Sequence, residues 1–401
     1  MLPLVLRLRW ILAVVVGLVL LALEPASALP ATLELHGLMD VTTVGKDDAI
    51  EYNWLNYGDS QFDAWRLRFF ANSDLGNGFQ VYTQTLFSDA VMARVYGAYV
   101  TYTPYPGLDL HLMAGKIPWR IGTYGPRTYS DKKPLIGTPL MYQYHTSLRG
   151  DRLVPGADAL LSAAGTGQYC PIYDAAGPGG RGMPIVYDAC WDFGTVATAS
   201  VRPFEYSFGF VNGSPGLQNP TLDGNSGKSL LGRFGVWPLP GLRLGVSGSY
   251  GPYLPNRLDS QLPAGRSAED YAQRLLMADA ELDFGHVELR GEGFTNTWET
   301  PTVGNLETYG YYLEGKYALP VGAWMAGRWE VMRFGDLADS TGWSRPWDDD
   351  MTRIETGLGY RVRRDVVAKA VYQLNLEQEF EAGKKEDDSY ELWAVQLSLS
   401  F

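Results

Sequence analysis

The sequence predicts an all-β chain folded as a transmembrane antiparallel β-barrel of about sixteen strands, and three observations carry that prediction. Apolar and polar residues alternate with period 2 along most of the chain, the signature of a strand with two unlike faces. The alternating segments mostly run about 9 to 13 residues, close to the roughly 9 to 11 that a tilted strand needs to cross a bilayer. Short turns also alternate with long polar segments, as they do in a barrel with one tight rim and one elaborate rim. Of the 401 residues, 46% are hydrophobic and 13% aromatic, yet beyond the N-terminus no apolar stretch approaches helical membrane-spanning length. A membrane role therefore rests on strands.

The elements follow in order. Residues 1–28 read as a secretory signal, because Arg7 and Arg9 precede an apolar run from Trp10 to Leu23, and Ala26-Ser27-Ala28 supplies a small-residue cleavage site. Residues 29–401 then form the barrel, with an inserted loop at 118–193. Strands are expected at 32–43, 62–74, 79–87, 92–103, 108–117, 194–202, 205–212, 229–237, 242–250, 272–284, 287–296, 307–318, 323–334, 352–362, 366–377 and 389–401. The count becomes eighteen if Val154–Leu161 and Pro184–Asp188 are also strands. Long polar connections are expected at 44–61, 213–228, 251–271, 297–306, 335–351 and 378–388, besides the loop at 118–193.

The last strand shows the pattern plainly. Trp393, Val395, Leu397, Leu399 and Phe401 alternate with Ala394, Gln396, Ser398 and Ser400. In a soluble sheet the polar face would meet water, whereas a membrane barrel turns its apolar face to lipid and its polar face to the lumen. On that basis Trp324, Trp329, Tyr309, Tyr317, Tyr250 and Trp393 are expected outward, as interfacial girdles.

Charge marks one region as unusual. Without residues 1–28 the chain carries 31 basic against 44 acidic residues, but 116–152 reverses that sign. Its seven basic residues, Lys116, Arg120, Arg127, Lys132, Lys133, Arg149 and Arg152, face only Asp131 and Asp151. Inside a narrow lumen such a cluster would concentrate anions; on an outer loop it would contact lipopolysaccharide phosphates. By strand parity Arg66, Arg68, Arg233 and Arg243 line the inner wall, in company with acids such as Asp279, Glu281, Glu292, Glu314, Glu330 and Glu355. The runs Asp348–Asp350 and Glu386–Asp388 read as solvated loop tips or as carboxylate clusters for divalent cations. Cys170 and Cys190 are expected to form a disulfide within the Gly/Pro-rich stretch 165–194, given an oxidising destination.

Catalysis and cofactor binding find no motif. The four histidines, His36, His111, His145 and His286, have no metal-ligand spacing, and the acidic balance disfavours nucleic acid.

Several segments resemble the phosphate-selective porin O/P and related substrate-specific porins of bacterial outer membranes. These are the segment Gly115-Lys116-Ile117-Pro118 leading into Trp119–Gly125, and Phe210-Val211-Asn212-Gly213 continuing through Asp223, Asn225 and Lys228 to Arg233, while the turn Asp74-Leu75-Gly76-Asn77-Gly78-Phe79 resembles porins generally and the terminal Phe401 outer-membrane barrels as a whole. The resemblance implies an outer-membrane channel for small hydrophilic solutes or anions, a loop folded into the lumen, and a homotrimer among lipid and lipopolysaccharide. The other function class kept open is a structural barrel sheathing a partner, such as an exported multihaem electron-transfer protein.

Overall fold

The computed structural model describes residues 32–401 except 47–60, 89–90, 106, 119, 126–127, 168–180, 188–190, 218–223 and 382–383. The expected signal segment 1–28, the expected disulfide Cys170–Cys190, and Arg127 lie outside the described residues.

The strands are β1 (Thr32–Lys46), β2 (Trp65–Gly76), β3 (Phe79–Ser88), β4 (Val91–Tyr102), β5 (Asp109–Pro118), β6 (Trp191–Val201), β7 (Phe204–Val211), β8 (Ser229–Leu239), β9 (Leu242–Pro252), β10 (Ala272–Phe284), β11 (Val287–Thr300), β12 (Gly304–Ala318), β13 (Ala323–Phe334), β14 (Asp336–Ala338), β15 (Ser344–Pro346), β16 (Asp350–Arg363), β17 (Val366–Glu381) and β18 (Lys384–Ser400). β14 and β15 pair only with each other; the other sixteen close one antiparallel barrel. The count is therefore sixteen. Val154–Leu161 supplies no strand, since Ala157–Leu161 is a short helix, and Pro184 makes only an isolated bridge to His145.

Closure explains the C-terminus. β1 and β18 pair from Leu38 opposite Ser400 to Lys46 opposite Leu392. Beyond that ladder the Gly37 amide donates to the Phe401 carbonyl at 2.7 Å and the Phe401 amide to the Gly37 carbonyl at 3.0 Å. The Phe401 ring covers the space that a Cβ at position 37 would fill, so the ring lies flat over the glycine. A closed ring leaves no sheet edge, which lipid would otherwise leave unsatisfied. The tight rim is equally local in origin: Gly76, Asn77 and Gly78 all have positive φ, a conformation glycine and asparagine tolerate.

The outward face is apolar and exposed, as a lipid-facing wall should be, with Tyr309, Tyr317, Trp329, Tyr250 and Trp393 among its aromatics. Trp324 corrects the expected girdle. It shares parity with Arg328 and Glu330, is 8% exposed, and donates its indole N–H inward to the Pro134 carbonyl at 3.0 Å. Trp324 and Trp329 are an odd number of residues apart, so one strand cannot turn both outward.

Two expected loops are strands. β11 and β12 pair as far as Thr300 opposite Gly304, and β17 and β18 as far as Glu381 opposite Lys384. Both hairpins continue past the residues that read as membrane-spanning, and their extensions read as loop in sequence because the period-2 apolar alternation weakens there.

Candidate functional site

β5 ends at Pro118 and the next strand of the wall begins at Trp191; the described residues between them supply no barrel strand and pack inside the barrel. Much of this segment is buried: Leu135, Ile136, Leu140, Met141, Tyr142, Tyr144 and Leu148 form one core with the wall residues Met277, Phe294, Trp298, Tyr312, Met332, Phe334 and Val371. The expected polar inner face is interrupted here. Where the loop packs, the inner face carries Phe294, Trp298, Met332 and Phe334. Period 2 separates two faces, but it cannot reveal that the inner face also has an apolar partner.

Wall carboxylates hold the loop by its backbone. Glu292 accepts from the amides of Thr123 and Tyr124 and from the hydroxyls of Thr123 and Tyr142. The amide of Leu140 donates to Glu330, and that of Gly137 to Glu355 at 2.8 Å. Asp348, just ahead of β16, accepts from the amides of Ser147 at 2.6 Å and Gly165 at 2.8 Å and from the Tyr144 hydroxyl at 3.0 Å. Burial nevertheless pushes its carboxyl up to about 6, against those lowering hydrogen bonds. The acidic run that read as a solvated tip thus includes a buried latch, since Asp348 and Asp349 are 0% and 6% exposed.

Cations of the same wall sector also reach the loop. Lys369 donates to the carbonyls of Ser130 and Leu135, and Arg353 to the Thr138 carbonyl and the Gln143 amide oxygen. Arg328 is fully enclosed by Glu314, Glu330 and Glu355. Arg66 bonds Asp40 at 2.7 Å and Gln61 at 2.9 Å, and Arg68 lies over the Tyr129 ring at 5.6 Å. All four wall arginines singled out in the sequence face inward, and each has neighbours among wall or loop residues.

The basic cluster is dispersed. Lys116 sits on the outward face of β5, opposite the exposed Phe193, and its ammonium donates to the Val95 carbonyl at 2.6 Å. Lys132 is exposed beside Asp131, and Arg152 is half-buried. Arg149 is buried in a bidentate pair with Asp151, at 2.7 and 2.6 Å. Lys133 donates to the Ile136 carbonyl, and burial, with Lys369 nearby, holds its pKa well below the ordinary lysine value. Arg120 is the member that meets open space.

That space is a cavity of about 420 Å³ between loop residues, Arg120 to Thr123, Gly125, Thr128 and Tyr129, and the wall formed by β3–β9. Asp109, His111, Ser200 and Glu205 line its end near the short turns, and Tyr82, Tyr99 and Trp191 its side. Arg243 is bidentate to Glu205, and Arg233 pairs with Asp279 and Glu205. The sequence pointed to the cations but not to this grouping, because the three rings come from three strands with no shared motif.

A sixteen-stranded closed barrel with an apolar belt and a loop folded inward defines the class: the fold is that of the outer-membrane porins. Among solved structures, OmpF of Salmonella typhi, in a complex with daunomycin, matches with a TM-score of 0.56 at 11% identity over 92% of this chain and 97% of that one. OmpT, an outer membrane protein of Vibrio cholerae, matches with a TM-score of 0.54 at 12% identity over 94% and 100%. The outer membrane channel DcaP of Acinetobacter baumannii matches with a TM-score of 0.53 at 12% identity over 92% and 97%. No family model matches the sequence, and no curated protein is similar to it.

Proposed function

We propose that this chain forms a diffusion channel of a bacterial outer membrane that admits small hydrophilic solutes, with the loop 118–193 as the element that selects among them. The observation that carries the reading is the inward loop: it narrows a bore that sixteen strands would otherwise leave wide, and its backbone is fixed to the wall by Glu292, Glu330 and Glu355. The apolar belt and the porin architecture support the outer-membrane location. Neighbouring folds in the same class include a trimer form of Vibrio cholerae OmpT, which supports a homotrimer here. A sheath around another protein is disfavoured, because the chain's own loop occupies the volume such a partner would need.

Anion preference is the finer part of the proposal. Lys133 and Arg149 are already engaged within the protein, so Arg120 and the exposed Lys132 carry the charge available to a passing ion. Planar-bilayer conductance of the purified protein across a salt gradient tests both parts. Discrete channels with a reversal potential on the anion side are expected; absence of conductance from a heat-modifiable, folded barrel overturns the reading. Replacing Arg120, Arg127 and Lys132 together by Gln is expected to move the reversal potential toward cations.

A further inference from the structure

We propose that the cavity beneath the loop is a binding subsite for a small aromatic monocarboxylate, whose carboxylate is taken by Arg120 and whose ring lies against Tyr82, Tyr99 and Trp191. The proposal rests on the channel reading only for the route by which the solute arrives.

Charge comes first. Three guanidinium groups line the cavity, and two are already matched: Arg243 by Glu205 and Glu281, Arg233 by Asp279 and Glu205. Asp109 is turned to His111, whose Nε2 lies 2.8 Å from its carboxylate. Arg120 differs. Among the described residues no carboxylate lies within ion-pair distance of it, its Nε has no hydrogen-bond partner, and its Nη2 reaches only the Met113 sulfur at 3.8 Å. A half-buried guanidinium with one weak contact is a preformed donor site for an oxyanion, and its planar fork suits a carboxylate.

The walls then choose among anions. Tyr82 and Trp191 are near-parallel, 6° apart with ring centres at 6.4 Å, and Tyr99 lies 5.0 Å from Tyr82 and 6.2 Å from Trp191. Such a panel offers a planar ring apolar contact and stacking that inorganic phosphate cannot use. One unmatched cation also fits a monoanion better than a dianion, which would bring a second charge beside Glu205. The volume of about 420 Å³ lies in the range of small-molecule sites.

Isothermal titration of the full-length barrel in detergent micelles, with benzoate, benzyl alcohol and phosphate as probes, tests the assignment. Saturable benzoate binding is expected, with benzyl alcohol weaker by about tenfold or more and no displacement by phosphate, since the charged hydrogen bonds to Arg120 are absent in the alcohol. Arg120→Gln is expected to weaken benzoate by about tenfold to a hundredfold in a barrel whose heat-modifiability is unchanged. Should that variant fail to assemble, the probe series on the native chain and on Tyr99→Leu, which is expected to weaken benzoate, decides the matter. Non-saturable benzoate, equal binding of the alcohol, displacement by phosphate, or unchanged affinity in both variants overturns the subsite. A barrel that conducts but does not bind benzoate loses only the subsite; one that binds benzoate but carries no current loses only the channel.

Discussion

Along β10–β13 and β16–β18 buried carboxylates and cations lock the inward loop to the wall, whereas along β3–β9 the loop touches the wall at neutral contacts such as Tyr129 to Gln84 and Gly122 to Ser247 and leaves the cavity between them. In the locked sector Glu292, Glu330 and Glu355 receive loop amides, Lys369 and Arg353 donate to loop carbonyls, and apolar side chains fill what remains. In the open sector Arg233, Arg243, Glu205, Asp279 and Glu281 neutralise one another along the wall, and the loop contributes Arg120 without a matching acid. The same residue types thus do different work. Buried and matched, they fix the loop; beside open space, they face solute.

The sharpest way to break this contrast is at Arg328, whose guanidinium neutralises Glu314, Glu330 and Glu355 inside the locked sector. Arg328→Ala leaves three buried carboxylates facing each other. Removing one partner of a buried ion-pair network costs about 3–5 kcal/mol, and here it strikes the anchors of both Gly137 and Leu140. A large fall in the unfolding temperature of the heat-modifiable form is expected. A barrel as stable as the native one would mean that the locked sector is not held by charge.

A smaller effect is expected at Glu292, which gathers four donors from the loop. Glu292→Ala strips Thr123, Tyr124 and Tyr142 of their acceptor, and because each buried donor left unpaired costs about 1–3 kcal/mol the loop segment releases from the wall and turns these donors to lumen water instead of bearing the sum. The ring of sixteen strands does not depend on these bonds, so the barrel should assemble while the loop loosens. Higher single-channel conductance and faster proteolysis within 120–142 are expected together. Unchanged conductance with a loosened loop would show that current does not pass beside this segment.

The wall was legible in sequence because each strand repeats the same two-faced rule, and a rule repeated sixteen times tolerates an error such as Trp324. Arg66, Arg68, Arg233 and Arg243 were placed on the inner wall by that rule alone, and all four lie there. The loop's fit was not legible. Its anchors join wall carboxylates to backbone amides of Gly137, Leu140 and Ser147, and an amide carries no residue-specific signature. Asp348 was hidden for the same reason, since a buried acid bonded to backbone looks in sequence like a solvated one. The cavity escaped too, because Tyr82, Tyr99 and Trp191 meet only once the barrel closes.

The subtlest test uses pH, because the loop and the latch that holds it contain two buried groups, His145 and Asp348, whose protonation pulls in opposite directions. Burial lowers the His145 pKa from 6.5 to about 3, despite its hydrogen bond to the Gln143 carbonyl. Its contribution to stability is present above pH 6.5 and is lost as pH falls toward 3. Asp348 is shifted the other way, from 3.8 to about 6, so its contribution is full below pH 3.8 and is lost as pH rises through 6. Between these limits the native state binds fewer protons than the unfolded chain at His145 and more at Asp348, and the two slopes oppose. The guanidinium midpoint of the native barrel should therefore vary little from pH 4 to pH 6 on account of this pair. His145→Gln is expected to expose the Asp348 slope, with the midpoint rising as pH falls, and Asp348→Asn the reverse. Parallel slopes in the two variants would show that the groups do not titrate as their burial requires, and the loop around Tyr144 to Ser147 would then be more open to water than the locked sector demands.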